Sequence, residues 1–333
     1  MSIRVAVVGG GSWGTTVAAL ASRNVPTTLW CRRPELADEL NTNHTNCDYL
    51  DGFTLPEELA ATSSLDEAVS GADVLVMGVP SHGMRATLGE LAQYLTPGIP
   101  IVSLSKGLEL GTDLRMTEVI ADEVPGHPTG VLTGPNLARE ILAGQAAASV
   151  VAFAEDGVAD EVQEVFSGDL FRVYTNTDVV GCEIAGALKN VFAIASGMAD
   201  GLGTGDNTRA AVITRGLAEL SRLGMAMGGE PMTFFGLAGM GDLVATCISK
   251  QSRNRYVGEQ LGLGRTIDEV VAEMKMVAEG IKTSKVVVDL AQRHGVDMPI
   301  ASEVYGVLYE GRTAQDAYRG LLHRASGPEH RHP

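Results

Sequence analysis

A short apolar run followed at once by regularly spaced glycines opens this chain and limits what it can fold into. Residues 3–8 read IRVAVV, an apolar and β-branched run typical of a buried strand. Gly9, Gly11 and Gly14 follow with the spacing Gly-x-Gly-x-x-Gly, and residues 14–23 carry apolar side chains at helical spacing. Strand, tight turn and helix in this order predict the first unit of a parallel sheet flanked by helices.

The turn also has the features of a dinucleotide-binding site. Gly9 permits the tight turn, Gly11 lets the backbone approach a pyrophosphate, and Gly14 lets the helix pack closely on the sheet. Amide groups at the start of the helix then hold the anion. The chain has 40 glycines, so a glycine-rich turn without a ligand is the alternative. The flanking strand and helix favour the dinucleotide.

The residues after the second strand-like run, 27–30, bear on which dinucleotide binds. An acid there would accept hydrogen bonds from the adenosine ribose of NAD, and the chain has none at that point. Arg32 and Arg33 stand there, and two guanidinium groups suit a ribose 2′-phosphate. We therefore expect NADP to be favoured and NAD to be tolerated. Taken singly, either arginine is equally well explained as solvated or as paired with Glu35.

The composition is that of a globular protein and argues against several kinds of partner. The 333 residues suffice for two domains with their own cores, and 45% of them are hydrophobic. A net charge of −16 disfavours nucleic acid or an anionic membrane as partner, so an anionic substrate must meet a local basic cluster. The four cysteines lack the spacing of a metal site or a redox pair, so we expect free thiols and no metal.

The N-terminal residues lack the pattern of a signal peptide. Arg4 alone supplies positive charge, and the glycines and Trp13 interrupt the apolar stretch. No run approaches the ~20 apolar residues that span a bilayer. We expect a cytoplasmic protein without membrane insertion, and a flexible polar tail at residues 326–333.

Strand-like runs alternate with amphipathic segments through the first half of the chain. This alternation predicts a mostly parallel sheet with helices on both faces and antiparallel strands added late. The runs are residues 3–8, 27–30, 74–79, 99–104, 130–133, 148–152 and 171–174. We place the end of this dinucleotide-binding domain near residue 177.

Helical patterns dominate from about residue 178. The predicted helices include residues 179–198, 208–223, 266–274, 283–294 and 299–310. The expected fold is an α/β Rossmann-like dinucleotide-binding domain, residues 1–177, followed by an all-α substrate and catalytic domain, residues 178–325. The apolar helical domain also suggests a homodimer.

Polar residues follow several predicted strands, at the positions where parallel sheets collect ligands. Lys106 comes after the run 99–104, where it can reach a nicotinamide ribose or a substrate oxygen; an exposed loop charge is the alternative. His82 follows the run 74–79, and we interpret it as a loop residue rather than a base.

Lys189 is conspicuous in the most apolar of the predicted helices. Lys189 and Asn190 are nearly the only polar residues in the stretch after Glu183. Either the lysine extends to solvent, or it points into a cleft as an ammonium donor. In a carbonyl reduction, such a donor polarises the carbonyl oxygen and gives it a proton.

A second candidate segment begins at the glycine-rich turn 236–241 and continues through Asp242. If residues 242–253 are helical, Asp242, Thr246, Ser249 and Arg253 share one face. The run Ser252-Arg253-Asn254 makes a hydrogen-bonding set suited to a phosphate, and Asp242 can orient Lys189 or accept from a substrate hydroxyl. A helix N-terminus with a solvated basic face is the alternative.

Taken in chain order, these motifs resemble the NAD(P)-dependent glycerol-3-phosphate dehydrogenases of bacterial type. The matching segments extend over the chain to about residue 322, and those from the helical half are specific to that family rather than generic. They are GGGSWGT (9–15), SKGLE (105–109), TGPNLARE (133–140), GALKNVFAIASG (186–197), GLAGMGDLVATCISKQSRNRYVG (236–258) and VAEGIKT (277–283).

The resemblance implies a reversible hydride transfer between NAD(P)H and dihydroxyacetone phosphate, giving sn-glycerol 3-phosphate for phospholipid synthesis. It implies that Lys189 is the general acid/base. The implied substrate contacts are Lys106, Gly134, Asn136, Lys189, Asp242, Ser252, Arg253 and Asn254. The implied nucleotide contacts, beyond the three glycines, are Ser12, Trp13, Arg32, Arg33, Lys106, Ala138, Arg253, Val277 and Glu279.

Two other functions are weighed against this one. A related reductase of a 2-keto or β-hydroxy acid has the same two-domain plan but prefers a carboxylate substrate. A nucleotide-sensing protein binds NADPH without oxidising it, and the presence of both Lys189 and Asp242 argues against that function.

Overall fold

The computed structural model describes residues 3–274 and 278–323. Within them, eight strands form one sheet: β1 (Val5–Val8), β2 (Thr27–Trp30), β3 (Ala60–Thr62), β4 (Val74–Met77), β5 (Ile101–Ser103), β6 (Thr129–Thr133), β7 (Ala147–Phe153) and β8 (Phe171–Asn176). Their order across the sheet is β3-β2-β1-β4-β5-β6-β7-β8.

The sheet is parallel except at one pairing. Strands β6 and β7 run antiparallel, whereas β8 is parallel to β7, so the last two strands run against the first six. The predictions of a Rossmann-like fold and of late antiparallel strands are confirmed. The carboxyl ends of β1, β4, β5 and β6 share one edge, and the loops leaving that edge contain the Gly9–Gly14 turn, Lys106 and Gly134.

Helices cover both faces of the sheet. Successive β1 residues point to opposite faces, and because all four are apolar, both faces must be buried. Val5 and Val7 pack in one hydrophobic core, and Ala6 and Val8 pack in the other. The helices of this region are α1 (Ser12–Ser22), α2 (Pro34–Asn43), α3 (Cys47–Leu50), α4 (Leu65–Val69), α5 (Met84–Leu91), α6 (Met116–Glu123), α7 (Ala138–Leu142) and α8 (Val158–Phe166).

The rest of the described chain is helical, as predicted. The helices are α9 (Val179–Gly201), α10 (Asp206–Ala226), α11 (Pro231–Phe235), α12 (Asp242–Ile248), α13 (Arg253–Gly262), α14 (Ile267–Glu273), α15 (Glu279–His294), α16 (Pro299–Tyr309) and α17 (Ala314–Leu322). A π-helical turn, Leu237–Gly241, precedes α12. Helix α12 ends at Ile248, so the expectation of one helical face through residue 253 is wrong.

The chain forms two compact units that do not divide it at a single position. One unit holds the residues up to Ala187 together with Gly224–Ala245, and the other holds Leu188–Leu223 together with the residues from Thr246. The first therefore includes the sheet, and helix α9 passes from one to the other. The proposed domain boundary near residue 177 remains a proposal, and the proposed tail at 326–333 lies outside the described residues.

Glycines bring helices α9 and α13 into backbone contact within the second unit. A Cβ atom on Gly258 would lie 2.0 Å from the Ile194 carbonyl oxygen, and one on Gly197 would lie 2.0 Å from that of Arg255. The same holds one turn further on, where Gly262 meets the Met198 carbonyl. No side chain fits between the two helices at these points, so glycine is required there for packing rather than for backbone flexibility.

The expectation that no run is long and apolar enough to cross a membrane is wrong for helix α9, which passes by length and composition alone and is the only such helix in the part of the chain that the structure describes. Its most apolar 18-residue window is 94% buried inside the protein. Burial to this extent is typical of a helix that forms the core of a globular protein.

Candidate functional site

The glycine turn after β1 is shaped by contacts that leave no room for side chains. Gly9 has a φ of +127°, and a Cβ atom there would lie 2.7 Å from the backbone of Gly78 after β4. A Cβ on Gly14 would lie 2.0 Å from the Gly9 carbonyl oxygen. The turn therefore depends on glycine at both positions, as the sequence pattern predicts.

The same turn fits the pyrophosphate of a dinucleotide. A Cβ atom on Gly11 would meet no other atom within 4 Å, so the backbone is open to close approach at this point. The first helical hydrogen bond of α1 runs from the Thr15 amide to the Gly11 carbonyl, so the amides of Ser12 and Trp13 precede the helical ladder. The first turn of α1 contains no acidic residue. These amides and the helix dipole suit an anion.

Trp13 adds an unsatisfied donor beside the turn. Its indole Nε1 is buried and has no hydrogen-bond partner among the described residues. The ring packs edge-on against Phe171, with 6.4 Å between the ring centroids. Because buried donors in folded proteins are nearly always paired, this group fits a bound acceptor.

The two arginines after β2 differ in their surroundings. Both are exposed, but Arg33 forms an ion pair with Asp48 of α3, not with Glu35. The hydrogen bond to Asp48 raises the pKa of the Arg33 guanidinium. Cys31, just before them, is buried, and this burial raises the pKa of its thiol to about 12. A neutral thiol and two exposed cations thus follow the strand.

Lys106 is partly buried in the first unit and donates two hydrogen bonds, so it is not an exposed loop charge. Its Nζ donates to the Gly134 carbonyl at 2.8 Å and to Oδ2 of Asp242 at 2.7 Å. The Asp242 side chain is only 2% exposed and that of Lys106 is 15% exposed. A Cβ atom on Gly186 of α9 would lie 3.6 Å from the Lys106 Cγ, so the helix passes close to the lysine stem.

Asn136 lies near the same sheet edge with half of its amide unsatisfied. Its Nδ2 donates to the Ser149 hydroxyl at 3.2 Å, and that hydroxyl donates to the Thr133 carbonyl. Its Oδ1 is buried and has no partner among the described residues, and the same is true of the Thr133 Oγ1. Two oriented oxygens that lack partners are suited to accept hydrogen bonds from ligand hydroxyls.

Lys189 is buried in the second unit, where it is 5% exposed. Its Nζ donates to the Thr246 Oγ1 at 2.6 Å. The burial excludes the alternative in which this lysine extends to solvent. An ammonium group is a donor only, so a lysine held by a hydroxyl in this way has the chemistry to donate to a ligand oxygen.

In the second unit, the side-chain amide of Asn254 connects Asn190 with Gly280. These three residues directly follow the predicted site residues Arg253, Lys189 and Glu279. Asn254 Nδ2 donates to the Asn190 Oδ1 at 2.9 Å, and the Asn254 Oδ1 accepts from the Gly280 amide at 2.9 Å. Asn254 is 8% exposed. Its side chain is therefore held by protein groups at both ends of the amide.

The three residues predicted to bind phosphate, Ser252, Arg253 and Asn254, lie at the start of helix α13. Ser252 is the N-cap of α13, and its hydroxyl accepts from the Arg255 amide. Arg253 is the first residue of the helix and is exposed. An exposed guanidinium and amides at a helix start both favour an anionic ligand.

The remaining predicted nucleotide contacts are at helix starts or outside the described residues. Ala138 opens α7 and is partly buried. Glu279 opens α15 and is also partly buried. Val277 lies outside the described residues.

Comparison with known proteins identifies the family. The family model for the N-terminal part of NAD-dependent glycerol-3-phosphate dehydrogenase matches residues 4–159, and that for its C-terminal part matches residues 178–319. This chain belongs to the glycerol-3-phosphate dehydrogenase family. A glycerol-3-phosphate dehydrogenase [NAD(P)+] of Sphingopyxis alaskensis is 59% identical over 99% of both chains, and one of Mycobacterium avium is 54% identical over 98% of this chain and 96% of its own.

A solved structure of the glycerol-3-phosphate dehydrogenase family matches nearly the whole chain. The crystal structure of the enzyme from Coxiella burnetii superimposes with a TM-score of 0.92 at 36% identity, and the match covers 97% of this chain and 99% of that one. The similarity in sequence and in fold therefore extends over both compact units, and the resemblance predicted from the motifs is confirmed.

Two described residues, each beside candidate residues of its own unit, are absent from the predicted site residues. Thr246 holds Lys189, and Thr133 presents a buried hydroxyl that lacks a partner. The spacing of Thr246, four residues after Asp242, was a usable signal. Thr133 begins the TGPNLARE motif, but a threonine at the end of a buried strand is too common to be singled out.

Proposed function

We propose that this protein transfers a hydride reversibly between NAD(P)H and dihydroxyacetone phosphate, giving sn-glycerol 3-phosphate. Membership of the glycerol-3-phosphate dehydrogenase family supports the reaction. The structural observation that carries the proposal is the buried Lys189 ammonium, held by Thr246 in a chain that also has a dinucleotide turn. NADP is the proposed favoured cofactor, with NAD also used.

In this proposal, Lys189 handles the proton of the reaction. The dinucleotide, when bound at the glycine turn, supplies or accepts the hydride. Lys189 Nζ donates a hydrogen bond to the carbonyl oxygen of the ketone and gives it the proton, so that one hydride and one proton convert the ketone to an alcohol. In the reverse direction, the amine takes the hydroxyl proton. Thr246 keeps the Nζ in position.

The proposed substrate contacts divide according to their chemistry. Asn136 and the Lys106–Asp242 pair provide hydrogen bonds for hydroxyl and carbonyl oxygens, since both lie at the carboxyl edge of the sheet. Ser252, Arg253 and Asn254 provide the start of helix α13 and a guanidinium, which suit the phosphate. Gly134, with a φ of +132°, presents its backbone.

The test is the Lys189→Ala variant. We expect turnover of dihydroxyacetone phosphate to fall about 10²- to 10⁴-fold, because the proton donor is lost. The dissociation constant of NADPH, measured by fluorescence titration, should stay near that of the wild type. Lys282→Ala, which removes an exposed lysine from α15, is the matched control and should retain full activity. Loss of NADPH binding together with turnover would contradict the role assigned to Lys189.

Substrate choice separates this function from the alternative reductase. A keto-acid reductase favours a carboxylate, whereas Arg253 and the start of α13 favour a phosphate. NADH and NADPH oxidation should therefore be measured side by side with dihydroxyacetone phosphate, dihydroxyacetone and a 2-keto acid. Faster reduction of the keto acid would support the alternative.

We also propose a cytoplasmic homodimer that supplies glycerol 3-phosphate to phospholipid synthesis. The four free cysteines support a reducing compartment. Large apolar side chains on the surface near α11, such as Met232 at 75% exposure and Phe235 at 57%, support association with a second copy.

A further inference from the structure

The ion pair between Arg33 and Asp48 lies beside the glycine turn. Strand β2, which leads to Arg33, pairs with β1, which leads to the turn, and the Gly9 amide donates to the Trp30 carbonyl at 3.1 Å. Arg33 is also the N-cap of α2, with an extended backbone. Arg33 therefore lies just after the end of β2. At this strand end, dinucleotide-binding proteins distinguish the adenosine ribose of NAD from the 2′-phosphorylated ribose of NADP.

Asp48 is held next to the turn by a buried neighbour. Asn46, fully buried two residues earlier, donates from its Nδ2 to the Gly10 carbonyl at 3.0 Å and to the Thr15 hydroxyl at 2.9 Å. These bonds tie the start of α3 to the turn and to helix α1. The position of the Asp48 carboxylate is therefore set by the turn as well as by Arg33.

We propose that Asp48 sets the balance between NADP and NAD by competing with the ribose 2′-phosphate for Arg33. This inference rests on the proposed function. The Arg33 and Asp48 side chains are 51% and 55% exposed, so the ion pair is weak and a dianionic phosphate can displace the carboxylate. Once displaced, the carboxylate still repels the phosphate across a short distance. An unphosphorylated ribose meets no such repulsion.

The inference explains why a chain with two arginines after β2 accepts both cofactors. An acid near that strand end is the usual partner of the NAD ribose, and an arginine is the usual partner of the 2′-phosphate. Here the arginine comes from the end of β2 and the acid comes from α3. Each weakens the preference that the other would impose.

The direct test is nucleotide binding by the Asp48→Asn variant, measured by calorimetry with 2′,5′-ADP and with ADP. We expect the variant to bind 2′,5′-ADP about 3- to 10-fold more tightly, because one nearby negative charge is removed, and to bind ADP almost as the wild type does. Asp38→Asn removes the same charge from the exposed face of α2 and should change neither constant. In an Arg33→Ala background, Asp48→Asn should give a smaller gain, because only the repulsion is relieved and no competition for Arg33 remains.

Kinetics provide the second measurement. The ratio of kcat/KM for NADPH to that for NADH, with dihydroxyacetone phosphate as substrate, should rise in Asp48→Asn by the same factor. An unchanged or lower preference for 2′,5′-ADP over ADP would overturn the inference. If the wild type oxidises neither cofactor, the proposed function fails, but the binding constants still decide the role of Asp48.

Discussion

Glu219 is a buried carboxylate that caps a helix in the second unit. It is 2% exposed, and its two oxygens accept from the Ile300 and Ala301 amides at the start of α16. These amides have no partner within their own helix, so the carboxyl satisfies them. Burial raises the pKa of Glu219 from 4.5 to about 7 in spite of these bonds.

This shift predicts that the protein loses stability as pH rises toward neutrality. The folded-state pKa lies above the unfolded one, so the contribution of Glu219 is complete below about pH 4.5 and is lost as pH rises through about 7. Between pH 5.5 and 8, the wild type should lose about 2 kcal/mol of unfolding free energy relative to Glu219→Gln. Urea unfolding of both proteins at several pH values measures this difference.

Glu230→Gln is the matched control, since Glu230 is the exposed N-cap of α11. Its stability should follow that of the wild type across the same pH range. A constant difference between wild type and Glu219→Gln from pH 5.5 to 8 would show that the carboxyl titrates normally.

Individual site residues were predictable from the sequence where the residue type is unusual for its predicted helix or strand. Lys189 and Lys106 were recognised because a lysine is rare in an apolar helix and informative after a buried strand. The partner of Arg33 was not, because Asp48 is brought to it by the loop that Asn46 ties to the turn. The bridge through Asn254 is likewise invisible in sequence, since it joins three separate helices.

Among the elements, the pair α9 and α13 depends on glycine at its crossing. Alanine at Gly258 would place its Cβ 2.0 Å from the Ile194 carbonyl oxygen, so the helices must separate. We expect Gly258→Ala to lower the unfolding free energy by about 1–3 kcal/mol, the usual cost of overpacking. Chemical denaturation monitored by circular dichroism measures the change.

Gly168→Ala is the control for this substitution. An alanine Cβ there meets no atom within 4 Å, and the residue is exposed. Its effect on stability should stay within about 0.5 kcal/mol, as for most surface changes. Equal effects of the two substitutions would mean that the crossing is not close-packed in solution.

At the scale of elements, long periodic segments were predicted well and short or interrupted ones were not. The predicted helix 299–310 is observed as α16, Pro299–Tyr309, because proline marks its start and the apolar period is clear. Strand β3, three residues long, was missed because its run of small residues lacks a β pattern. The break after Ile248 was missed because polar residues continue at helical spacing beyond it.

For the whole molecule, the proposed homodimer has a measurable signature. Sedimentation equilibrium at micromolar concentration should give twice the chain mass of 34.9 kDa. Each copy carries a net charge of −16, so the dimer should dissociate more readily at 20 mM salt than at 150 mM, where the charges are screened. A single-chain mass at both salt concentrations would contradict the proposal.

The order of motifs along the chain made the family predictable, but the division into units was not. A change from strands to helices near residue 178 suggests a single boundary, whereas one compact unit also takes in Gly224–Ala245. That segment carries Asp242, the partner of Lys106. The local pattern of apolar and polar residues indicates secondary structure, whereas the compact units are set by contacts between residues distant in the sequence.

This discontinuous arrangement has a consequence for synthesis on the ribosome. When Ala187 has been added, the nascent first unit still lacks the segment that ends at Ala245, and Lys106 has no Asp242 to pair with. The 58 residues from Leu188 to Ala245 take about 3–12 s to translate at typical rates. During that interval the sheet must persist without the ion pair between Lys106 and Asp242, so we expect chaperones to bind the nascent chain.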